Sequence, residues 1–445
     1  MQRRLLNQLI AWKNKPRRKP LLVDGARQTG KTYLLRRLFG AEFAGVLRVD
    51  FLETPALAEA FAGSLHPEEV LANLELMTGQ SFNPVTDLLI LDEIGECSRA
   101  VAALKYFAEQ APTYFVAASG SNIGLLNAFP VGKVEQYYLR PLSFREFLWA
   151  SKEKSLIKAY ENKVLIAAAH TKLWEKFTDY YYTGGMPEAV AAWFDTSGTT
   201  LLQRVEAVSL IHANLLMGYQ RDFGKYAGKA DAQLIETVFN AIPEQLSAVL
   251  DESVKRFKFK GVVPRKSRYA DFATAISWLH HCRMILKNYQ IEGRPQAPLA
   301  AYRKPNQIKL FGFDVGLLNH QLGTNYQAIK QQKEAYKGYV AENFVQQEFA
   351  AMGMEPSYSW RDARAEIEYI VQNEAGQVIP VEVKSGTRTQ AKSLRSYQKK
   401  CVPVKTFKLT GTQGSPASEH DNIVLPIYYA EYILEQVSQL KHIKK

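Results

Sequence analysis

The segment GARQTGKT, Gly25 to Thr32, has the residue types and spacing of a loop that holds phosphate. Gly25 and Gly30 let the backbone turn its N–H groups inward onto an anion, and the helix that follows adds its positive end. Gly25, Ala26, Arg27, Gln28, Thr29, Gly30, Lys31, Thr32 and Tyr33 are therefore read as the nucleotide-binding segment. Lys31 is expected at the β and γ phosphates of ATP, and the Thr32 hydroxyl on Mg2+. Further along, the apolar run LLILDE ends in Asp92 and Glu93. Asp92 is expected to anchor the hydrated Mg2+ through its water. Glu93 would polarise a water for attack on the γ phosphate, which favours hydrolysis over transfer to another acceptor and weighs against a small-molecule kinase. Ser121 or Asn122, in SGSN, could sense the γ phosphate or position that water. Arg140, in YYLRPLSFREF, either supplies positive charge to the transition state or is structural.

A second constellation lies near the other end. Glu382 and Lys384 in VEVKSG are two apart, so on a strand they face one side. Glu368 in EIEYIV would stand across a hairpin from them, and Glu342 in YVAENF on the helix before. Glu368 and Glu382 could hold Mg2+ against a phosphodiester while Lys384 activates or orients water. The same residues also fit a charged sheet edge, or a nuclease-like fold without activity.

These groups need elements to carry them. PLLVDG, GVLRVDF, DLLILDE and YFVAASGSN are apolar strands alternating with helical stretches, which predicts a parallel sheet covered on both faces: an α/β fold. Residues 3–13 read as an amphipathic helix closed by KPRRKP. Past Val134 the pattern becomes long aromatic-rich helices, with a turn at Gly184, Gly185 and Pro187. Shorter helices and basic loops run from about 201 to 330. A helix over YVAENFVQQEFAAMG then precedes two β-type runs joined by NEAG, an α+β module.

With 445 residues, two to four domains are expected, and 47% hydrophobic content argues against wholesale disorder. Cys97, Cys282 and Cys401 have no disulfide or zinc spacing. His280 and His281 beside Cys282 point in different directions on a helix, against a metal site there. No apolar run is long enough for a membrane span, and the first residues lack a signal-peptide core, so a soluble, cytoplasmic protein without membrane contact is expected. The net charge of +12 is concentrated: seven basic residues and no acid between Lys255 and Arg268, and eight with none from Lys384 to Lys408. Such runs can follow a phosphate backbone, making DNA a candidate partner, or can be solvated faces.

GARQTGKT, LLILDEI, SGSN and LRPLSFREFL occur in an order that resembles a widespread prokaryotic family of AAA-type ATPases with an uncharacterised C-terminal domain. TGGMPEAV, FGFDVGLLN, and EVKSG followed by LPIYYAEYI are also similar to that family. The resemblance implies a P-loop domain over 1–150, a helical extension over 151–205 and a winged-helix-like region over 206–330. It further implies a domain over 331–445 similar to the PD-(D/E)xK restriction-endonuclease fold. The chain departs from the commonest family pattern at Glu368, where aspartate is usual. A winged helix could put SRYADFATAISWLHHCRMILKNYQIE against a DNA groove, with KRFKFKGVVPRKSR on phosphates, or could serve protein contact. The reading is of an ATP-dependent switch acting on DNA, or a nucleotide-binding scaffold with an inactive nuclease-like fold. A homo-oligomer or a protein partner is compatible with either.

Overall fold

The computed structural model describes residues 1–121, 123, 129–226, 229–248, 256–331, 338–362, 365–384, 392–412 and 422–440. Asn122 lies outside the described residues, as do Lys255 and residues 385–391 of the two basic runs. By its contacts the chain forms two compact units, Met1–Arg140 with His281–Arg283, and Pro141–His280 with Met284–Lys445.

The first unit runs α1 (Leu5–Lys13), β1 (Leu21–Asp24), α2 (Lys31–Tyr33), β2 (Val46–Asp50), α3 (Pro67–Thr78), β3 (Leu88–Asp92), α4 (Ser98–Gln110), β4 (Phe115–Gly120) and β5 (Glu135–Tyr138). Its described strands form one five-stranded sheet in the order β2-β3-β4-β1-β5, each pair parallel. LLVD and LLILD are buried throughout, because helices cover both faces of a parallel sheet. β5, the sequence EQYY, is half-exposed at the edge and carries no apolar signal that would have announced it. Asp24 pairs in register with Gly120, and Leu91 with Ala118, so β1, β3 and β4 end at one level. The loops after those ends are where a parallel sheet builds ligand sites.

The second unit begins with helices: α5 (Phe144–Ser151), α6 (Lys154–Glu161), α7 (Ala167–Thr183), α8 (Pro187–Phe194), α9 (Leu201–Tyr226), α10 (Lys229–Ser247) and α11 (Ala273–His281). It continues as β6 (Ile285–Glu292), β7 (Ile308–Gly312), α12 (Val315–Gln321), α13 (Tyr326–Gln331) and α14 (Gly338–Ala351). Last come β8 (Ser357–Asp362), β9 (Ala365–Gln372), β10 (Val378–Lys384), α15 (Lys392–Cys401), β11 (Thr406–Thr410), β12 (Asn422–Pro426) and α16 (Ala430–Gln439). The strands make one sheet in the order β12-β11-β10-β9-β8-β6-β7. The β9–β10 hairpin turns on Asn373 and Gly376, the latter at φ +76°, as the NEAG turn requires. β6 and β7, expected in a separate winged-helix-like region, instead enter this sheet through the parallel pairing of β6 with β8, Asn288 opposite Ser357. The break expected at residue 330 therefore lies inside one continuous layer.

Several signature segments turn out to be the joints of this unit. SFRE is a capping box: Ser143 N–H donates to Glu146 Oε2 at 3.0 Å and Ser143 Oγ accepts from Glu146 N–H at 3.4 Å. Glu348 of α14 also accepts from Phe144 N–H at 3.0 Å, and Arg145 pairs with Glu431 at 3.2 Å and Glu435 at 2.9 Å on α16. TGGMPE locks onto FDVG. The buried Asp314 carboxylate accepts Gly185 N–H at 2.6 Å and Leu317 N–H at 3.0 Å, capping α12. Burial pushes the Asp314 carboxyl up to about 6, against the pull of those N–H donors. Gly184 has φ +67°, and a Cβ on it would lie 2.1 Å from Asp314 Oδ1. Gly184→Ala should therefore lower the stability of this unit by about 3 kcal/mol in denaturant unfolding. Gly218→Ala, with nothing within 4 Å of the added atom, should leave it unchanged or raised.

Candidate active site

At the ends of β1, β3 and β4 the loop residues close on a single ammonium group. Lys31 Nζ donates to the carbonyls of Gly25 and Ala26, each at 3.0 Å, and to Ser121 Oγ at 2.9 Å. Burial lowers the Lys31 pKa, while the charges of Glu93, Asp24 and Asp92 act in the opposite direction. Loop geometry explains the sequence. Gln28 and Gly30 are left-handed, at φ +63° and +92°, and a Cβ on Gly25 would meet Leu139 O at 2.3 Å. Thr29 is buried and donates to Ala26 O at 2.8 Å, which ties the loop to itself. Arg3 donates to Thr29 O at 3.0 Å and to the carbonyl of Arg140, fastening the backbone of that buried arginine beside the loop. Thr32 and Tyr33 follow Lys31 on α2, Tyr33 exposed. Arg27 is half-buried, and its charge reaches both Lys31 and Glu93.

The acidic pair arrives as expected, but in two different environments. Asp92 is fully buried, with Oδ1 accepting from Ser119 Oγ and Oδ2 accepting from Arg48 Nε at 3.1 Å and Nη2 at 3.0 Å. Glu93 turns away from the strand at φ +49° and remains half-buried. Burial raises its pKa, with Asp92 adding to the rise, while Lys31, the backbone N–H of Ser121 and Arg27 oppose it. Asp24 completes the cage: it is buried and accepts from Arg283 Nε at 3.0 Å and Nη2 at 2.9 Å, and Arg283 stacks on Tyr138 at 4.1 Å. The residues present fit a bound triphosphate. An ammonium satisfied only by main-chain carbonyls and a serine hydroxyl has equivalent oxygen partners on phosphate.

Residues 17–148 match the family model described as AAA domain. This segment is similar to AAA domains and has the parallel sheet and glycine loop of a P-loop fold. Residues 174–328 and 337–430 match two models described as domains of unknown function, DUF8612 and DUF4143. A search of curated proteins found no match. Among solved structures, PCH-2 of C. elegans aligns at 14% identity over 46% of this chain with a TM-score of 0.26. The chain spans 66% of that protein's length, just under two thirds. The structure of Drosophila ORC bound to DNA aligns at 13% identity over 72% of this chain and 84% of that one, TM-score 0.26. No helix among the described residues is long and apolar enough to cross a membrane.

The second constellation also assembles, as an ionic ladder. Lys384 Nζ lies 3.3 Å from Glu368 Oε1 and 3.5 Å from Glu382 Oε1, and Glu368 Oε2 accepts Val383 N–H at 2.9 Å. Glu368 is the main reason the Lys384 pKa is raised. Glu382 is fully buried, and burial raises its pKa. Glu342 forms an ion pair with Lys309 on β7, and its charge also reaches Lys384. Burial opposes the charge of Lys309, but Glu342, reinforced by Glu366 and Glu368, raises its pKa. Lys408 is in register with Glu382 on β11. Among the described residues no three His, Cys, Asp or Glu side chains are grouped to hold a metal ion. Lys384 thus bridges Glu368 and Glu382, and Lys309 pairs with Glu342.

Sequence reasoning missed Arg48, Ser119 and Asp24 in the AAA domain, and Lys309 and Lys408 in the second unit. A signal existed for three of them. Arg48, Lys309 and Lys408 are the lone cations of their strands, VLRVD, IKLFG and TFKLT, each between apolar residues, and a charge in that setting needs a carboxylate partner.

A base must be deprotonated to accept a proton, so a raised Glu93 pKa moves the loss of activity on acidification to higher pH. The acid limb of kcat/KM for ATP hydrolysis should fall at a pH above the ordinary carboxylate value of 4.5, and Glu93→Gln should abolish that limb. A limb at or below that value would count against Glu93 as the base.

Proposed function

We propose that this chain is an ATP-driven switch that acts on DNA, with the amino-terminal AAA domain hydrolysing ATP and the second unit engaging the nucleic acid. The observation that carries the reading is the convergence of Lys31, Ser121, Glu93 and Asp92 at the ends of adjacent parallel strands. When bound, Mg·ATP supplies the electrophilic phosphorus and a charge-neutralised leaving group. Lys31 exchanges its main-chain carbonyl partners for phosphate oxygens, and the glycine loop turns its N–H groups on the same anion. Thr32 and Asp92 would hold the Mg2+, Asp92 through water and with its orientation set by Arg48 and Ser119. Glu93 accepts the proton of the attacking water. Ser121 donates its N–H to Glu93 and receives Lys31 at its hydroxyl, so it can report loss of the γ phosphate to the acidic pair. Arg140, fixed by its backbone to the loop, is assigned a structural part.

Support for DNA comes from the net charge of +12 and the basic runs. Within the second unit, the reading takes recognition over metal-dependent cleavage, with Glu342, Glu368, Glu382 and Lys384 held in ion pairs.

Purified protein should release phosphate from ATP without any added acceptor, and DNA should change the rate. Lys31→Ala should lower kcat by about 10² to 10³. Glu93→Gln should lower it by about 10² to 10⁴ while nucleotide still binds. Turnover unchanged in Lys31→Ala would sink the ATPase assignment of this loop. With Mg2+ or Mn2+ present, DNA should be bound but not cut. Cleavage that disappears in Lys384→Ala would overturn the recognition reading and restore a nuclease.

A further inference from the structure

On one side of the seven-stranded sheet, α15 packs over Ile291, Trp360, Ile367 and Ile370 through Leu394 and Tyr397. Its contacts fall mainly on β9 and β10. Toward β8 and β6, Tyr358 sits at the rim of that cluster and Tyr289 stands opposite it in register. Their rings are 6.4 Å apart at 37°, and both remain half-exposed. Arg303, exposed on the connection between the antiparallel strands β6 and β7, holds its guanidinium 5.0 Å over the Tyr289 ring. Tyr269 also lies within electrostatic reach of Tyr289. Lys287, two residues along the same strand, brings a half-buried ammonium, with Glu355 and Arg303 as its charged neighbours. An apolar strand face destined for burial would not carry two tyrosines and a lysine at the three positions where the covering helix ends.

Cations dominate the surroundings. Lys266 and Arg268 precede Tyr269 and Asp271 follows it, its carboxylate accepting the Ser267 and Arg268 N–H groups, and Arg268 is exposed. On the outer face of α15, Lys392, Arg395 and Lys399 are exposed at spacings of three and four, one stripe of a helix. The nearby acids are mostly engaged: Glu292 with Lys304 at 3.9 Å, Asp362 with Lys400 at 2.6 Å, and Glu355 with His280 at 3.0 Å.

We infer that the Tyr289–Tyr358 pair with Arg303 is a stacking platform for unpaired bases, and that single-stranded DNA is its ligand, its phosphates running along the flanking lysines and arginines. The choice of DNA rests on the proposed function; the stacking chemistry does not. Aromatic rings give base stacking without sequence preference, and the guanidinium over the Tyr289 ring offers its own outer plane to a base. A duplex hides its base faces and would leave the tyrosines unused.

Fluorescence anisotropy of the full chain with labelled oligo-dT, oligo-rU and a duplex of mixed sequence tests this. Oligo-dT should bind more tightly than the duplex, and weaken as salt is raised. Tyr289→Ala and Tyr358→Ala should each weaken it about tenfold or more, whereas Tyr289→Phe, which keeps the ring, should bind like the parent. Arg303→Ala should weaken it too, with basal ATP turnover unchanged in every variant. Oligo-dT binding unaffected by both alanine variants overturns the platform, and if DNA still alters ATP turnover the proposed function stands without it. Tyrosine-dependent binding of oligo-rU with no binding of oligo-dT overturns the assignment to DNA and removes the DNA part of the proposed function. A preference for duplex overturns the platform alone.

Discussion

An ammonium buried among carbonyl oxygens is costly unless anions stand nearby, and Lys31 is held in that condition. Three carboxylates, from Asp24, Asp92 and Glu93, reach it electrostatically, yet its hydrogen bonds go to uncharged oxygens of the loop and of Ser121. Each carboxylate is separately restrained, Asp24 by Arg283 and Asp92 by Arg48 and Ser119, while Glu93 is lifted off the strand axis by its backbone. The parallel sheet supplies this arrangement because three strand ends share one level. The glycine loop supplies it because Gly25 has no Cβ to strike Leu139. A buried cation whose three hydrogen bonds all end on neutral oxygens is the group around which the loop is organised.

Much of this was readable from residue order. The loop, the acidic pair, four of the five strands and the β9–β10 hairpin follow from apolar runs, glycine positions and turn residues, all local signals. Ser121 was also reachable, because a small polar residue ending a strand beside the DE strand has few other places to be. What could not be read is non-local. Arg48 bonds Asp50 and Glu53 locally, but its bond to Asp92 exists only because β2 lies beside β3, and β5 has no apolar pattern because it sits at an exposed edge. The ladder around Lys384 shows the same limit: Glu342, Glu368, Glu382 and Lys384 are spaced for chemistry, but Lys309 arrives from a strand distant in sequence and engages Glu342.

The family-like segments of the second unit carry a related lesson. SFRE, TGGMPE, FDVG and YYAEYI look like functional motifs because their residues are polar or conformationally special. In the fold they are caps and interlocks: a serine and a glutamate closing a helix start, two glycines passing within reach of a buried aspartate, an arginine bound by two glutamates. Buried polar groups of this kind specify one arrangement, since any slip would strand a carboxylate or a backbone N–H without a partner.

The parallel pairing of β6 with β8 also bears on how the second unit can be divided or inherited. Two family models meet near residues 328 and 337, yet the hydrogen-bonded layer runs straight across that border. A fragment beginning after residue 331 would keep β8 but lose its neighbour, baring a strand edge rich in tyrosine and tryptophan that invites other chains to pair with it. The two segments share one hydrogen-bonded sheet, and exchanging one without the other would remake the β6–β8 pairing with a foreign strand.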